Sequence, residues 1–447
     1  MIIIATLLAL FCMVLIFYEL FKGPIKNKET YSLADRNIGI FALTATLVMT
    51  EFNTATLISF SALGYLAGLK ALLLPVVFLI GLIFYALVVA KKWKKFNGFS
   101  VVDFFTVRFG KDIGFLTALF LLLATAGFSA TYLKSLTLLF SSLEPHINPW
   151  LISAYLVVLT LAMVIKRGLT AIIKTDIFAF LIVITSLSWV LYRTIKLEGL
   201  TSPIDIDSDV LNNDFLISLI PLTMFSYILA PWYGQRMFAA KSEKVAILSV
   251  LLSAVFVFIF YALAVLISHQ MARNGLVFHD PQKSFPYALH FALQGLFSPL
   301  AYIVLFLISA TTLTGVWNAM ANIISDMVPS SQGQKNRVIL IMILCAFTTY
   351  LLSNIFVDNI LNKMILVNIP VIALSFALLA GFYWPGVTKA GIYTSITMGL
   401  FSGVASYGYF GDKGIYTYYW AFLGIPLIFF SGITVSLYDK IRLGNQK

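Results

Sequence analysis

The chain has 447 residues, 60% hydrophobic and only 11% charged, with a mean hydropathy of +0.94. Soluble domains carry about 25% charged residues, so the composition excludes a soluble globular protein and requires a polytopic membrane protein. The net charge of +11 then reads as a topology signal and an affinity for anionic lipid headgroups, not as a nucleic-acid-binding surface.

Apolar runs of roughly 17–25 residues can span a bilayer. In chain order they predict about thirteen transmembrane helices: Ile2–Leu20, Ile38–Leu66, Ala71–Ala90, Ile113–Leu139, Pro149–Ile165, Ile172–Tyr192, Phe215–Tyr233, Val245–Ser268, Leu300–Ile324, Val338–Leu352, Met364–Phe382, Gly391–Tyr409 and Trp420–Tyr438. Most of the 30 basic residues collect in alternate loops, led by Lys91, Lys92, Lys94, Lys95, Arg108 and Lys111. The opposite loops hold few, and one carries Asp205, Asp207, Asp209 and Asp214. The positive-inside rule therefore places the N-terminus outside and the C-terminus inside. The first span has no basic n-region and no small-residue cleavage site, so it is expected to remain as a helix.

Several chemistries find no footing. Cys12 and Cys345 both lie in spans, where a disulfide framework has no role. The four histidines, His146, His269, His279 and His290, fall in outward loops or at span ends with no i,i+4 pair, which argues against an intramembrane zinc or haem site. There is no G-x-x-x-x-G-K-[ST] segment and no nucleophile–base pair. Neither ATP-driven pumping nor an enzyme is expected. The longest connections, Ile195–Asp214 and His269–Ser298 outside and Lys91–Asp112 inside, are too small to be domains. The apolar residues of the second predict a short interfacial helix, a candidate lid.

Glu51 is the most informative residue. It stands mid-span in the uncharged segment Ile38–Leu66, within Thr50-Glu51-Phe52-Asn53-Thr54-Ala55-Thr56. A charge there costs at least ~2.5–3.5 kcal/mol on insertion scales and marks an ion or substrate pathway. Polar interruptions at the centre of Ile38–Leu66 and at Ser309-Ala310-Thr311-Thr312 predict two broken helices. Such breaks mark the midplane sites of secondary transporters. Spans 2–6 and 7–11 then form two five-helix repeats of opposite orientation. The predicted organisation is 1–36 (peripheral helix and loop), 37–212 (first repeat), 213–383 (second repeat) and 384–447 (two peripheral helices).

Short segments in order resemble the sodium:solute symporter family, whose members carry sugars, amino acids, vitamins and small carboxylates. They are Leu33-Ala34-Asp35-Arg36, Ser59-Phe60-Ser61-Ala62-Leu63-Gly64-Tyr65-Leu66-Ala67-Gly68, Asp103 to Gly110, Arg167-Gly168-Leu169-Thr170-Ala171 with Lys174-Thr175-Asp176, Gln235-Arg236, Ala239-Ala240-Lys241-Ser242, Phe285-Pro286 and Ser325-Asp326. The resemblance implies a leucine-transporter-like five-plus-five inverted repeat with broken first and eighth core helices. It implies a sodium site at the carbonyls of Met49 and Phe52 with Leu307, Ala310 and Thr311. Ala310 departs from the family's pair of adjacent hydroxyls, and Thr312 or Ser309 is the candidate substitute. Asp176 is implied on the sodium exit path, with an interfacial ion pair to Lys174 as the alternative. Trp232 takes the place of an aromatic that covers the substrate, although Trp232 and Tyr233 also suit interfacial anchors.

Glu51 has three readings: a sodium-site partner, a proton carrier, or the partner of a substrate ammonium. A pairing with Lys134, the one basic residue well inside a span, competes with all three. Thr50, Asn53, Thr54 and Thr56 read either as cavity lining or as helix–helix hydrogen bonds. The third span runs Leu72-Leu73-Leu74-Pro75-Val76-Val77 where sugar carriers place polar groups. A sugar's unpaired buried hydroxyls would each cost ~1–3 kcal/mol, so the expected solute is an amino acid or related compound. The expected function is import by Na⁺-coupled symport, with H⁺ coupling through Glu51 or a non-transporting sensor as alternatives. The expected location is a cell membrane, most simply a bacterial inner membrane, with the protein acting as a monomer or weak oligomer.

Overall fold

The computed structural model describes residues 28–143, 146–165, 168–197, 204–294, 298–327, 334–411 and 415–444. The expected first span, with Cys12, lies outside the described residues. The described chain is built of helices: α1 (Lys28–Leu33), α2 (Ile40–Glu51), α3 (Thr54–Ala67), α4 (Leu73–Tyr85), α5 (Lys91–Phe96), α6 (Val101–Phe109) and α7 (Lys111–Leu143). Then follow α8 (Pro149–Val164), α9 (Leu169–Ile195), α10 (Asn213–Tyr227), α11 (Pro231–Ala239), α12 (Glu243–Arg273), α13 (Ser284–Ala292) and α14 (Ser298–Met327). The last are α15 (Gln334–Ile355), α16 (Ile360–Leu366), α17 (Ile369–Ala373), α18 (Ser375–Tyr383), α19 (Lys389–Phe410), α20 (Ile415–Tyr419) and α21 (Ile425–Gly444).

Among the described residues, 8 helical stretches are long and apolar enough to cross a membrane, or up to 9 with the bent pair α10–α11 counted as one span. This is a multi-pass membrane protein. The stretch Thr54–Phe96 has 43 residues. At 1.5 Å per residue it would measure about 65 Å, twice a ~30 Å hydrocarbon core. It turns at Gly68, whose φ of 62° suits a residue without Cβ. A π-helical turn, Ala86–Ala90, joins α4 to α5, and another, Trp420–Gly424, joins α20 to α21. The loop expected to face outward folds in part as α13, which buries Phe285 and Leu289.

The breaks have local causes. After Glu51 the backbone extends at Phe52 (φ −75°, ψ 94°) and Asn53 (φ −118°, ψ 160°). The Asn53 side chain then accepts from Thr56 N at 2.9 Å and starts α3 as an N-cap. The second break is not where the polar run predicted it. α14 is continuous through Ser309-Ala310-Thr311-Thr312, because Thr311 and Thr312 donate back to the carbonyls of Leu307 (2.8 Å) and Ile308 (3.1 Å) one turn earlier. The chain breaks instead between α10 and α11, bending 49° before Pro231, which has no N–H to continue a helix and suits a first position. The eighth core helix is therefore intact. The two breaks fall in the first helix of each expected five-helix set.

α14 lies at the centre, with 89% of its apolar window buried inside the protein. α12 packs along α2, α3 and α4. Its contact with α3 is close enough that a Cβ on Gly64 would sit 2.6 Å from the Val265 carbonyl oxygen. α19 and α21 pair at the periphery.

The lysine-rich face expected on the cytoplasmic side carries an unusual turn. Ala34, Asp35 and Arg36 have φ of 47°, 56° and 52°, a left-handed run that costs roughly 1–2 kcal/mol per residue. Arg36 holds it: Nε pairs with Glu29 at 2.7 Å, and Nη1 donates to Asn97 Oδ1 at 2.8 Å. The next residues clasp the end of α11. Ile38 N donates to Ala239 O (3.1 Å) and Lys241 N to Ile38 O (2.9 Å).

Candidate functional site

Glu51 ends α2 at the break, and three tyrosines from three helices converge on it. Tyr227 of α10 donates to Oε1 at 2.5 Å and Tyr233 of α11 to Oε2 at 2.8 Å. Tyr261 of α12 donates to the Glu51 carbonyl oxygen at 2.7 Å, and Asn53 Nδ2 does so at 2.8 Å. The helix end thus has its free carbonyl satisfied by side chains. Its carboxylate is fixed by two neutral donors, and no ion pair joins it to Lys134 among the described residues. The orphan groups of the break and the charge are both stabilised without a protein cation.

Beside Glu51 lies a cavity of about 100 Å³ between α3, α7, α10, α16 and α17. At about 30 Å³ per water in the liquid, it has room for about three waters or a small solute. Glu51, Asn53, Thr56 and Trp232 line it. So do Phe60, Phe78, Phe128, Tyr132 and Met364, and Trp420 from the π-helical turn. The indole N–H groups of Trp232 and Trp420 are buried without a hydrogen-bond partner. The expected site residues Thr50 and Thr54 lie elsewhere. Thr50 donates to the Thr46 carbonyl (2.6 Å), and Thr54 shares hydrogen bonds with Ser135 (2.7 Å) and Ser309 (2.8 Å).

On another side of α2, α14 approaches the same break. The Thr312 hydroxyl reaches the Met49 carbonyl oxygen at 3.0 Å and the Thr311 hydroxyl at 3.4 Å. Ala310 is fully buried and brings only a methyl group. Two adjacent hydroxyls do face Met49, those of Thr311 and of Thr312, the candidate substitute for Ala310. Phe52 packs edge-on against Phe260, ring centroids 5.0 Å apart. Leu307 contributes the carbonyl that accepts from Thr311.

Asp176, on α9, is fully buried and faces Arg236 of α11, also fully buried, at 3.7 Å. The Thr46 hydroxyl donates to Asp176 Oδ2 and accepts from Arg236 Nε at 3.0 Å. Arg236 Nη1 donates to the Trp232 carbonyl at 3.1 Å. One polar atom of each charge, Asp176 Oδ1 and Arg236 Nη2, has no hydrogen-bond partner. Lys174 is exposed, on a different face of α9.

No family model and no curated protein matches the sequence, but solved structures match it over nearly its whole length. A Na⁺-coupled sialic acid symporter, substrate-bound and outward-open, aligns with a TM-score of 0.71 at 14% identity, over 97% of this chain and 96% of that one. Mhp1, a nucleobase-cation-symport-1 family transporter in a closed conformation with bromovinylhydantoin bound, aligns at 0.59 and 15% identity, over 91% and 96%. The chain has a leucine-transporter-like fold. A manganese transporter of Eremococcus coleocola aligns at 0.53 and 14% identity, over 91% and 95%. These neighbours are transporters. At such identities the likeness speaks to the fold and leaves solute and ion to this chain's own residues.

Within this leucine-transporter-like fold, several site residues were not legible as such. Tyr227 and Tyr261 carried no signal in the sequence, Tyr233 suited an interfacial anchor, and Arg236 fell among the basic residues of the loops. Pro231 was the available signal for the break, although Pro221 in the same span is accommodated inside α10.

Proposed function

We propose that this chain is a cation-coupled secondary transporter that imports a small organic solute by alternating access. The observation that carries the reading is the break at Phe52–Asn53. On one side of it Glu51 lines a solute-sized cavity. On another, the Met49 carbonyl meets the paired hydroxyls of Thr311 and Thr312. Solute and ion would thus share one unwound backbone, the arrangement that couples them. Na⁺ is the proposed co-substrate, taken by carbonyls of Met49 and Phe52 with Thr311 and Thr312, and Asp176 lies on the proposed route to the cytoplasm. The wider reading is thirteen spans, N-out and C-in, with inverted repeats over 37–212 and 213–383 in a bacterial inner membrane. The bundle of spans 2, 3, 7 and 8 (α2–α3, α4, α10–α11 and α12) would rock against the scaffold of spans 4, 5, 9 and 10 (α7, α8, α14 and α15).

The proposed solute carries an amine or amide and an apolar portion, an amino acid or related compound. The apolar lining agrees with this, and the hydroxyls and amides of Thr56, Asn53 and Asn368 provide a few polar contacts. At ~2.3 kcal/mol per charge per 100 mV, one co-transported cation supports roughly fiftyfold accumulation.

A second reading rests on Glu51 itself. A buried carboxylate clasped by two tyrosine hydroxyls suits a proton carrier, with H⁺ in place of Na⁺. Uptake of a labelled pool of amines, amino acids and small organic solutes into proteoliposomes, under separate Na⁺ and pH gradients, decides between them. Na⁺-driven uptake reduced by Thr312→Ala supports the first. Uptake driven by a pH gradient alone and lost in Glu51→Gln supports the second, and no uptake under either gradient refutes transport.

A further inference from the structure

The charges buried at the centre of the molecule do not balance. Asp176 and Arg236 neutralise each other. Glu51 has no such partner: its carboxylate oxygens are met by the hydroxyls of Tyr227 and Tyr233. Among the described residues, its cavity is lined by no lysine, arginine or histidine. A buried carboxylate without a counter-charge calls for a cation.

That cation is not the ion at Met49. Glu51 follows Met49 by two residues, which on a helix turns its side chain by ~200°. Thr311 and Thr312 approach Met49 from α14, whereas the Glu51 carboxylate is held by α10 and α11. The cation for Glu51 must come from the cavity side, where the solute goes.

From this we infer that the solute is an organic cation, a primary or secondary amine on an apolar body of about aromatic size, without a carboxylate. The inference rests on the transport reading for the site's purpose and narrows its solute. The ammonium meets Glu51, and the body lies among Phe60, Phe128, Trp232 and Met364. Phe128 and Trp232 stand edge to face with centroids 5.6 Å apart among the lining residues, and aromatic rings attract cations at their faces. A carboxylate on the same solute would enter a cavity whose one formal charge is already negative. The indole N–H of Trp232, buried without a hydrogen-bond partner among the described residues, is a neutral donor on a residue that lines this cavity.

Four probes with one body and different charge test this by isothermal titration calorimetry on the purified full-length protein: phenethylamine, phenylalanine, phenylacetate and phenethyl alcohol. Phenethylamine is expected to bind at least about tenfold more tightly than each of the others, and Glu51→Gln to abolish that preference. The inference is overturned if phenylalanine or phenylacetate binds as tightly as the amine, or if none of the four binds. It is equally overturned if the alcohol matches the amine, the result a proton on Glu51 would give. The wild-type series decides even where Glu51→Gln does not fold. Uptake of labelled phenethylamine into proteoliposomes separates this from the transport reading: binding without uptake refutes transport and leaves the amine site standing. Ion-driven uptake of another solute, with no amine binding, does the reverse.

Discussion

Removing Arg236 strands Asp176. Both side chains have 0% exposure, their charged atoms are 3.7 Å apart, and the Thr46 hydroxyl links them. Truncating one member of a buried pair costs about 3–5 kcal/mol, because the remaining charge is left uncompensated. Replacing both by apolar groups of similar volume is often neutral or even stabilising by ~1–4 kcal/mol. Arg236→Met and Asp176→Leu should therefore each lose about 3–5 kcal/mol. The double variant should lose less than either, a coupling energy well above the ~0.3–0.5 kcal/mol scatter of independent sites. Equilibrium unfolding of the four-member cycle in one detergent, followed by tryptophan fluorescence and by circular dichroism, measures it. If the double variant loses the sum of the singles, the two charges are not each other's compensation and the latch between α9 and α11 is misread.

Four further outcomes follow from the geometry. Tyr233→Phe removes a hydrogen bond to a charged oxygen, worth about 1.5–3 kcal/mol. Uptake of the solute identified in proteoliposomes should fall roughly 10- to 100-fold, and unchanged uptake would show that Glu51 does not depend on that donor. Thr312→Ala should raise the Na⁺ concentration for half-maximal uptake about tenfold, whereas Ala310→Ser should leave it unchanged. The opposite pattern would restore the alignment's choice of Ala310 and Thr311. Gly64→Ala forces a Cβ to within 2.6 Å of the Val265 carbonyl oxygen. Backbone cannot give way as a side chain can, so melting should show a loss of about 1–3 kcal/mol. Ala34→Gly should stabilise by about 0.5–1 kcal/mol by relieving a left-handed residue, and a loss would mean that its methyl packing outweighs the strain.

Much of the architecture was legible in composition and in the length of apolar runs, since a helix is the simplest way to satisfy backbone groups in lipid. Glu51 was legible for the same reason, because a lone charge in a span is expensive. The polar run from Thr50 to Thr56 marked the first break. The second was misplaced because Ser309, Thr311 and Thr312 read as an interruption, although such hydroxyls bond back to their own helix and leave it whole. Pro231, the actual breaker, sat beside two aromatics that looked like interfacial anchors. Arg236 was counted among loop cations because its partner Asp176 is 60 residues away in sequence and nothing local announces the pair. Thr312, the candidate substitute for Ala310, shares the Met49 carbonyl with Thr311; one position is ~100° around a helix, a turn too small for short motifs to resolve.

The two threonines facing Met49 have more than one acceptor each. Thr311 has the Leu307 carbonyl at 2.8 Å and Met49 at 3.4 Å, and Thr312 has Ile308 at 3.1 Å and Met49 at 3.0 Å. A hydroxyl is a rotor, so its proton can swing from the neighbouring helix to its own and turn a lone pair toward α2. On the proposed reading, an arriving cation would displace two hydrogen bonds that are remade one turn down α14, and a departing cation would reverse the swing. No donor is stranded in either position. Such a site can exchange its ion without opening a polar void in the protein interior, and its contribution to the barrier for turnover is correspondingly low.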